Sequence, residues 1–145
     1  MQLDECVKFA NENPGVYVAT VDDGQPRVRR FSLWFADGTG FYFQTESCKD
    51  VFKQLQKNPR VEICFFHPEN RGGTMMRVAG EVEFLEDIAL KKRVLEDRKL
   101  LKAWGLTADN PQLVIFKIAK GVAYFYSIET NFEPKKPIEF GKKHT

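Results

Sequence analysis

Two short stretches indicate how this chain folds: PRVRRF at positions 26–31 and, after one predicted hairpin, QTESCK at positions 44–49. The first stretch predicts a basic strand. The second ends a strand and opens a helix, because Ser47 is a favourable N-cap and Asp50 follows at the spacing of a capping box. Since only one hairpin separates the two stretches, we expect the basic strand and the helix start to lie close together.

The rest of the chain predicts a mainly β, α+β protein. Turn signals such as Asp22-Asp23-Gly24 join successive strands, and Lys120-Gly121 is interpreted as the turn of a final hairpin. The longest predicted strand alternates, with Met76, Val78, Val82 and Phe84 on one face, and Gly80 on that face predicts a bulge or bend. We therefore expect a small antiparallel barrel of six or seven strands with peripheral helices. Strands are predicted over 16–21, 27–35, 41–45, 61–66, 74–85, 113–119 and 122–127, and helices over 3–11, 47–57 and 87–101.

Length and composition predict a single domain. The 145 residues divide into a domain over 1–130 and a polar tail over 131–145. The formal net charge of +2 is too small to favour a nucleic-acid or membrane partner, and no apolar run approaches membrane-spanning length. Cys6, Cys48 and Cys64 are an odd number without CxxC spacing, which favours free thiols in a reducing cytoplasm. Cys64 lies in an apolar run, so we expect it to be buried.

The two opening stretches also carry the groups that bind a phosphate. A helix start offers free N–H donors and partial positive charge. Ser47 and Thr45 add hydroxyls, and Lys49 adds an ammonium. On the strand, Arg29 could hold a phosphate with two parallel hydrogen bonds, while Arg30 points to the opposite face. The alternative is an exposed strand with ordinary surface arginines and a lysine that points into water.

Aromatic side chains accompany these basic groups. Phe31, Trp34, Phe41 and Tyr42 could flank a planar ring, although aromatic residues in strands more often belong to a core. A phosphorylated, flat, aromatic ligand such as flavin mononucleotide (FMN) suits both sets of residues. The sequence contains no motif for a catalytic triad, a carboxylate pair or a metal site, and we interpret His67 as a loop residue.

The chain resembles a known family, the pyridoxamine 5′-phosphate oxidase-like flavin-binding split barrels. It is most similar to their short, nitroimidazole-resistance-protein-like (NimA/NimC) branch. The resemblance extends over most of the chain, from about Val16 to Ser127. It rests on the residues 24–31, 41–45, 47–49, Leu55, 58–61, 76–82 and the pair 120–121.

The resemblance implies a split β-barrel homodimer with FMN at the interface. In such proteins the arginine strand and the Ser-x-Lys helix start hold the phosphate. Carried over to this chain, Arg29 and Lys49 are the main phosphate ligands, with Ser47 and Thr45 assisting. The resemblance places the remaining cofactor residues, Arg30, Phe31 and Ser32, along the isoalloxazine and Gln44 near the ribityl chain or ring.

The function that the resemblance implies is an FMN-dependent oxidoreductase. NAD(P)H or another donor would reduce the flavin, and a small nitroaromatic- or quinone-like molecule would accept the electrons, with no catalytic side chain required. True pyridoxamine 5′-phosphate oxidase activity is not expected. Met75 stands where those oxidases have a flavin-reading Gln, and the chain ends before their substrate-binding segment.

The sequence leaves two other functions open. One is a flavin- or haem-binding sensor or carrier without turnover. A haem would need an axial ligand, for which the sequence offers His67 and His144 as histidines, and some similar split barrels bind a deazaflavin. A nucleic-acid-binding barrel that uses the arginines and aromatic residues is a third function, disfavoured by the near-neutral charge.

Overall fold

The computed structural model describes residues 2–141. The helices in this range are α1 (Gln2–Glu12), α2 (Asp50–Lys57), α3 (Ile88–Asp97) and α4 (Lys99–Ala103). The strands are β1 (Gly15–Asp22), β2 (Gln25–Ser32), β3 (Phe35–Asp37), β4 (Gly40–Glu46), β5 (Arg60–His67), β6 (Thr74–Leu85), β7 (Leu113–Ser127) and β8 (Ile138–Phe140). Within this range no helix combines the length and apolar character that crossing a membrane requires.

The strands form one antiparallel sheet in the order β2-β1-β5-β6-β7-β4-β3, with β8 paired to β7. The first half of β7 pairs with β4 and its second half with β8, while β6 follows β7 along both halves. This arrangement confirms the predicted mainly β, α+β antiparallel fold with peripheral helices. The sheet has eight strands among the described residues, whereas the sequence predicted six or seven.

The predicted final hairpin at Lys120-Gly121 is wrong. β7 runs through this pair without turning, as a single strand of 15 residues. Position 121 requires a glycine because of close packing and not because of a turn: a Cβ there would lie 2.1 Å from the carbonyl oxygen of Ala79 on β6. A glycine inside a strand marks either a turn or a close backbone approach, and here it marks the approach.

Two other predicted elements are each divided in the structure. The strand over 27–35 breaks after Ser32, where the backbone N–H of Leu33 donates to the carbonyl of Pro14 at 2.8 Å. The next N–H, of Trp34, donates to the carbonyl of Tyr42 at 2.9 Å. The helix over 87–101 breaks at Arg98, whose backbone is non-helical (φ −125°, ψ 80°) and which separates α3 from α4.

The segment after residue 130 partly joins the sheet. β8 pairs with Gly121, Val122 and Ala123 of β7, and Ile138 and Phe140 are buried. The predicted tail therefore contributes a strand, although the domain boundary at residue 130 stays a prediction. Residues 142–145 of that tail, including His144, lie outside the described residues.

The main core, on one face of the sheet, is rich in phenylalanine, and a second cluster packs Leu113 and Ile115 of β7 against α3 and α4. Phe41, Phe43, Phe65 and Phe116 are fully buried. On β6, the predicted alternation is confirmed, since Met76, Val78 and Val82 are buried. The predicted irregularity at Gly80 is also confirmed, as the β6–β7 register shifts between Gly80 and Val82. α2 packs Val51 and Leu55 on this core.

The three cysteines differ in exposure. Cys6 is fully buried on α1, and Cys48 is exposed in the turn before α2. Cys64 was expected to be buried, and this expectation is wrong, because it is partly exposed. The alternation of β5 turns Ile63 and Phe65 into the core and therefore leaves Cys64 on the other face.

We expect alkylation of the native protein to modify Cys48 first and Cys6 last. Burial raises the pKa of the Cys6 thiol to about 11, from an ordinary value of 9.0, so both access and thiolate fraction are low. Mass-spectrometric mapping after brief iodoacetamide treatment would measure the order, with denatured protein as the control. Early modification of Cys6 would contradict the packing of α1.

The same thiol predicts a pH dependence of stability. The folded-state pKa is raised, so the contribution of Cys6 is complete below about pH 9 and is lost as the pH rises towards about 11. Denaturant unfolding of the wild type and of Cys6→Ala at several pH values would measure it. We expect the wild type to lose more stability than the variant between these two pH values. Parallel losses would contradict the assignment.

Candidate functional site

A basic cleft lies between the free edge of β2 and the start of α2. Its volume is about 860 Å³. It is lined by five basic side chains and two acidic ones, which gives it an excess of positive charge. The basic residues are Arg27, Arg29, Arg30, Lys49 and Lys53, the acidic residues are Asp22 and Asp50, and Val28, Phe31, Val51 and Gln54 complete the lining.

Arg29 is anchored in this cleft by neutral acceptors. Its Nη1 donates to Thr20 Oγ1 at 2.7 Å and to the carbonyl of Val18 at 3.3 Å, and its Nη2 donates to Gln54 Oε1 at 2.6 Å. Burial lowers the pKa of the Arg29 guanidinium, while nearby Asp50 raises it and Arg27 lowers it further. The guanidinium is thus held in place by β1 and α2 through neutral hydrogen-bond partners, and Asp50 is the nearby carboxylate that partly offsets its charge.

Arg30 confirms the predicted division of the arginines between two faces of β2. Its guanidinium lies over the ring of Tyr17, 5.5 Å from the centroid. Tyr17 is half-exposed and stands on the outer face of the sheet, which we define as the face opposite the core. A cross-strand row on that face runs Arg30, Tyr17, Cys64, Arg77, Tyr124. The cleft and the outer face therefore meet at Arg30.

The start of α2 differs from the predicted start. Ser47 is not the N-cap, and no capping box forms between it and Asp50. The chain first makes a turn, in which the N–H of Lys49 donates to the carbonyl of Glu46 at 3.1 Å, and Lys49 is the N-cap. No side chain caps the helix. The backbone N–H of Ser47 donates to the carbonyl of Gln112, at 3.0 Å.

The structure brings together half of the predicted cofactor residues. Arg29, Arg30, Phe31 and Lys49 all line the basic cleft. The other four lie around it and do not line it. Ser32 borders a neighbouring cleft, Ser47 is in the turn before α2, and Gln44 and Thr45 are buried on β4.

Most of the predicted aromatic flank belongs to the interior. Phe41 is fully buried in the core. Tyr42 stacks on Phe35 with centroids 4.3 Å apart, and Trp34 packs edge-on against Phe35 at 4.8 Å. Phe31 is the member of the predicted flank that lines the cleft, and it packs at 6.0 Å on Phe116. For Phe41, the interpretation as a core residue is therefore correct, and the interpretation as a ring-flanking residue is not.

Arg98 is a residue of this region that sequence analysis missed. It is half-buried between α3 and α4 and donates to the carbonyl of Ser32 at 2.8 Å and to Gln44 Oε1 at 3.2 Å. Both acceptors belong to predicted cofactor residues. No sequence pattern marks Arg98, because the contacts join positions 54 and 66 residues apart.

The residues present fit a phosphate monoester. The cleft carries excess positive charge, Arg29 donates to neutral oxygens, and α2 begins without a side-chain cap. In addition, the Thr45 hydroxyl is buried and has no hydrogen-bond partner among the described residues. An unpaired buried hydroxyl is costly, so Thr45, five residues before α2 begins, has hydrogen-bonding capacity to spare.

Comparison with known proteins gives the family. Residues 3–123 match the family model described as pyridoxamine 5′-phosphate oxidase. No curated protein matches the chain. Among solved structures, a NimC/NimA family protein from Clostridium acetobutylicum is similar with a TM-score of 0.78 and 26% identity, covering 97% of this chain and 94% of that one.

Two further solved structures share the fold. General stress protein 26 from Bacillus anthracis has a TM-score of 0.73 and 20% identity, covering 97% of this chain and 100% of that one. A heme binding protein from Mycobacterium smegmatis has a TM-score of 0.73 and 14% identity, covering 96% of this chain and 58% of that one.

Proposed function

Because the chain belongs to the pyridoxamine 5′-phosphate oxidase family, we propose that it binds FMN in the basic cleft and acts as an FMN-dependent oxidoreductase. The observation that carries this proposal is the convergence of Arg29 and Lys49 on one cleft of about 860 Å³. Charged hydrogen bonds from both groups can neutralise a phosphate dianion there.

Each predicted residue has a role in this proposal. Arg29 and Lys49 hold the phosphate, and Thr45, near the end of β4, and Ser47, in the turn before α2, assist. Arg29 reaches the phosphate from a fixed position, because Thr20 and Gln54 already orient its guanidinium. The other assigned residues are Arg30, Phe31 and Ser32 along the isoalloxazine, and Gln44 near the ribityl chain or ring.

When bound, FMN would supply the redox chemistry that links NAD(P)H or another donor to a small acceptor. The protein residues bind and orient, and no catalytic side chain is assigned. We propose a nitroaromatic- or quinone-like acceptor and a cytoplasmic location. We do not expect pyridoxamine 5′-phosphate oxidation, because the resemblance places a flavin-reading Gln of the true oxidases at about the position of Met75.

We also propose that the protein is a homodimer that uses the outer face of the sheet. Tyr17 is 50% exposed, Val28 68%, Phe66 45% and Tyr126 39%. Exposed apolar surface of this kind commonly marks an interface, and a two-fold axis would bury the same face of both subunits. Because Arg30 belongs to both the outer face and the cleft lining, each bound FMN would lie at the edge of that interface.

The flavin assignment is tested by the absorbance spectrum of the purified protein and the mass of any cofactor released on denaturation. A flavin spectrum with released FMN is the expected result. Bleaching of that spectrum by NAD(P)H at catalytic rates would support turnover, and slow or absent bleaching would support a carrier or sensor. If the apoprotein binds no FMN on titration, the assignment is wrong.

Haem binding is the second candidate, favoured by the fold shared with the M. smegmatis heme binding protein. His67, the histidine available among residues 2–141, is exposed at the end of β5 and does not line the basic cleft. Its Nδ1 lies 3.0 Å from Asn13 Oδ1. A Soret band in place of a flavin spectrum would select haem, and the mass of the released cofactor would distinguish FMN from a deazaflavin.

The dimer is tested separately by light scattering during size-exclusion chromatography. We expect the mass of two chains for the wild type. Val28→Asp places a charge on the exposed outer face and should favour monomers, while Ile88→Asp changes an equally apolar residue on α3 and should not. A monomeric wild-type protein would contradict the proposed interface.

A further inference from the structure

We propose that Arg98 is a positioning residue for the phosphate site, acting through Gln44 and Glu46 on the ammonium of Lys49. The inference rests on the proposed function and deepens it. It adds a residue that does not line the basic cleft, since Arg98 borders the neighbouring cleft with Ser32 and Trp34.

The first link is between the α3–α4 break and β4. Arg98 interrupts the helix, and its half-buried guanidinium reaches back to the sheet. Nη1 donates to Gln44 Oε1 at 3.2 Å, and Nη2 donates to the carbonyl of Ser32 at 2.8 Å. A guanidinium offers several donors in a rigid plane, so one side chain can tie the end of β2 to β4.

The second link fixes the orientation of the Gln44 amide. Gln44 is 7% exposed, so water cannot readily replace its partners. Arg98 carries donors only, and the amide oxygen must therefore face it. The amide nitrogen then points the other way and donates to Glu46 Oε2 at 2.5 Å and to the carbonyl of Thr45 at 3.1 Å.

The third link reaches the cleft. The Glu46 side chain is 14% exposed, and its second oxygen, Oε1, lies 3.4 Å from Lys49 Nζ. One carboxylate oxygen is thus held by Gln44 and the other faces the ammonium. Lys49 itself is 56% exposed and lines the cleft. Without Glu46 held in place, this long side chain would sample many rotamers in solvent.

The physical consequence is a pre-oriented ammonium. Binding a phosphate with a mobile lysine costs side-chain entropy, and a lysine that is already restrained costs less. Loss of Arg98 frees the Gln44 amide to rotate, which removes the donor to Glu46 and loosens Lys49. The loss of affinity should therefore be larger for FMN than for riboflavin, which shares the ring and ribityl contacts of Ser32 and Gln44 but lacks the phosphate.

The test is a double-mutant cycle between Arg98→Met and Lys49→Met, with FMN and riboflavin as ligands. Riboflavin lacks the phosphate. We expect Arg98→Met to weaken FMN binding roughly two- to tenfold more than it weakens riboflavin binding, the range for a typical hydrogen bond. In the Lys49→Met background, Arg98→Met should weaken FMN binding no more than it weakens riboflavin binding, because the ammonium on which Arg98 acts is absent.

Two controls separate positioning from a general effect on folding. Arg93→Met changes an arginine on α3 that lies over Phe35 at 4.2 Å and has no place in the chain of contacts. It should leave both affinities unchanged. Arg98→Lys keeps the positive charge but lacks the planar set of guanidinium N–H donors. We expect this variant to fold even if Arg98→Met does not, and to lose part of its FMN affinity.

A measurement on the ligand-free protein tests the chain of contacts directly. The side-chain amide protons of Gln44 should exchange faster in Arg98→Met, or in Arg98→Lys if the former does not fold, than in the wild type. Unchanged exchange, equal losses for FMN and riboflavin in the wild-type background, or the same FMN-specific loss in the Lys49→Met background would each overturn the inference. A wild-type protein that binds no FMN would overturn the proposed function as well.

Discussion

Arg29→Ala is expected to weaken FMN binding roughly ten- to 150-fold, which corresponds to about 1.5–3 kcal/mol for a hydrogen bond to a charged group. The guanidinium donates to Thr20, Gln54 and Val18, all neutral. Its charge is therefore available to a dianion, and the substitution removes it. Fluorescence titration of the apoprotein with FMN would measure the change, and Lys49→Ala should lose affinity in the same direction.

The matched control for this prediction is Arg60→Ala, an exposed arginine at the start of β5 that does not line the cleft. It should bind FMN like the wild type. Since Arg29 also links β1 to α2, a thermal melt of each variant is needed to confirm folding. Wild-type FMN affinity in both Arg29→Ala and Lys49→Ala would refute the phosphate site.

Phe116→Ala is expected to lower the free energy of unfolding by about 3–5 kcal/mol, the range for removing a buried phenylalanine. Phe116 is fully buried on β7 and stacks on Phe43 of β4, with centroids 5.4 Å apart. Its edge contacts reach Phe31 at 6.0 Å and Phe84 at 6.3 Å. The ring thus joins four strands, and its loss leaves a cavity that no single neighbour can fill.

Denaturant unfolding followed by tryptophan fluorescence would measure this loss. The control is Phe132→Ala, which removes the same side chain from a position that is 98% exposed and should change stability by less than about 0.5 kcal/mol. If the two variants unfolded at the same denaturant concentration, the aromatic core described for β4 and β7 would be wrong. We also expect weaker FMN binding in Phe116→Ala, because Phe31 loses its support.

Much of the fold followed from local patterns. Alternation placed Met76, Val78 and Val82 in the core, and the turn at Asp22-Asp23-Gly24 correctly separated β1 from β2. The predictions that failed were those in which one local sequence signal is compatible with two different structures. Gly121 suggested a turn but relieves a close approach to Ala79, and Ser47 suggested an N-cap but precedes a turn that delays the helix to Asp50.

The candidate site was likewise predicted only in part from the sequence. The residue types that bind a phosphate, Arg29 and Lys49, were evident from the sequence because charge and spacing are local properties. That they line one cleft is a property of the sheet, which sets β2 beside α2. The sequence did not identify Arg98, because Arg98 and its hydrogen-bond acceptor Gln44 lie 54 residues apart in the chain.

By itself, the sequence determined the mainly β class, the family and the basic character of the site, because these depend on periodicity, motif order and side-chain chemistry. Only the tertiary structure decided which predicted residues share a cleft, which face of the sheet remains apolar and exposed, and how Arg98 connects to Lys49. Those features depend on contacts between distant positions, and short-range patterns carry no information about them.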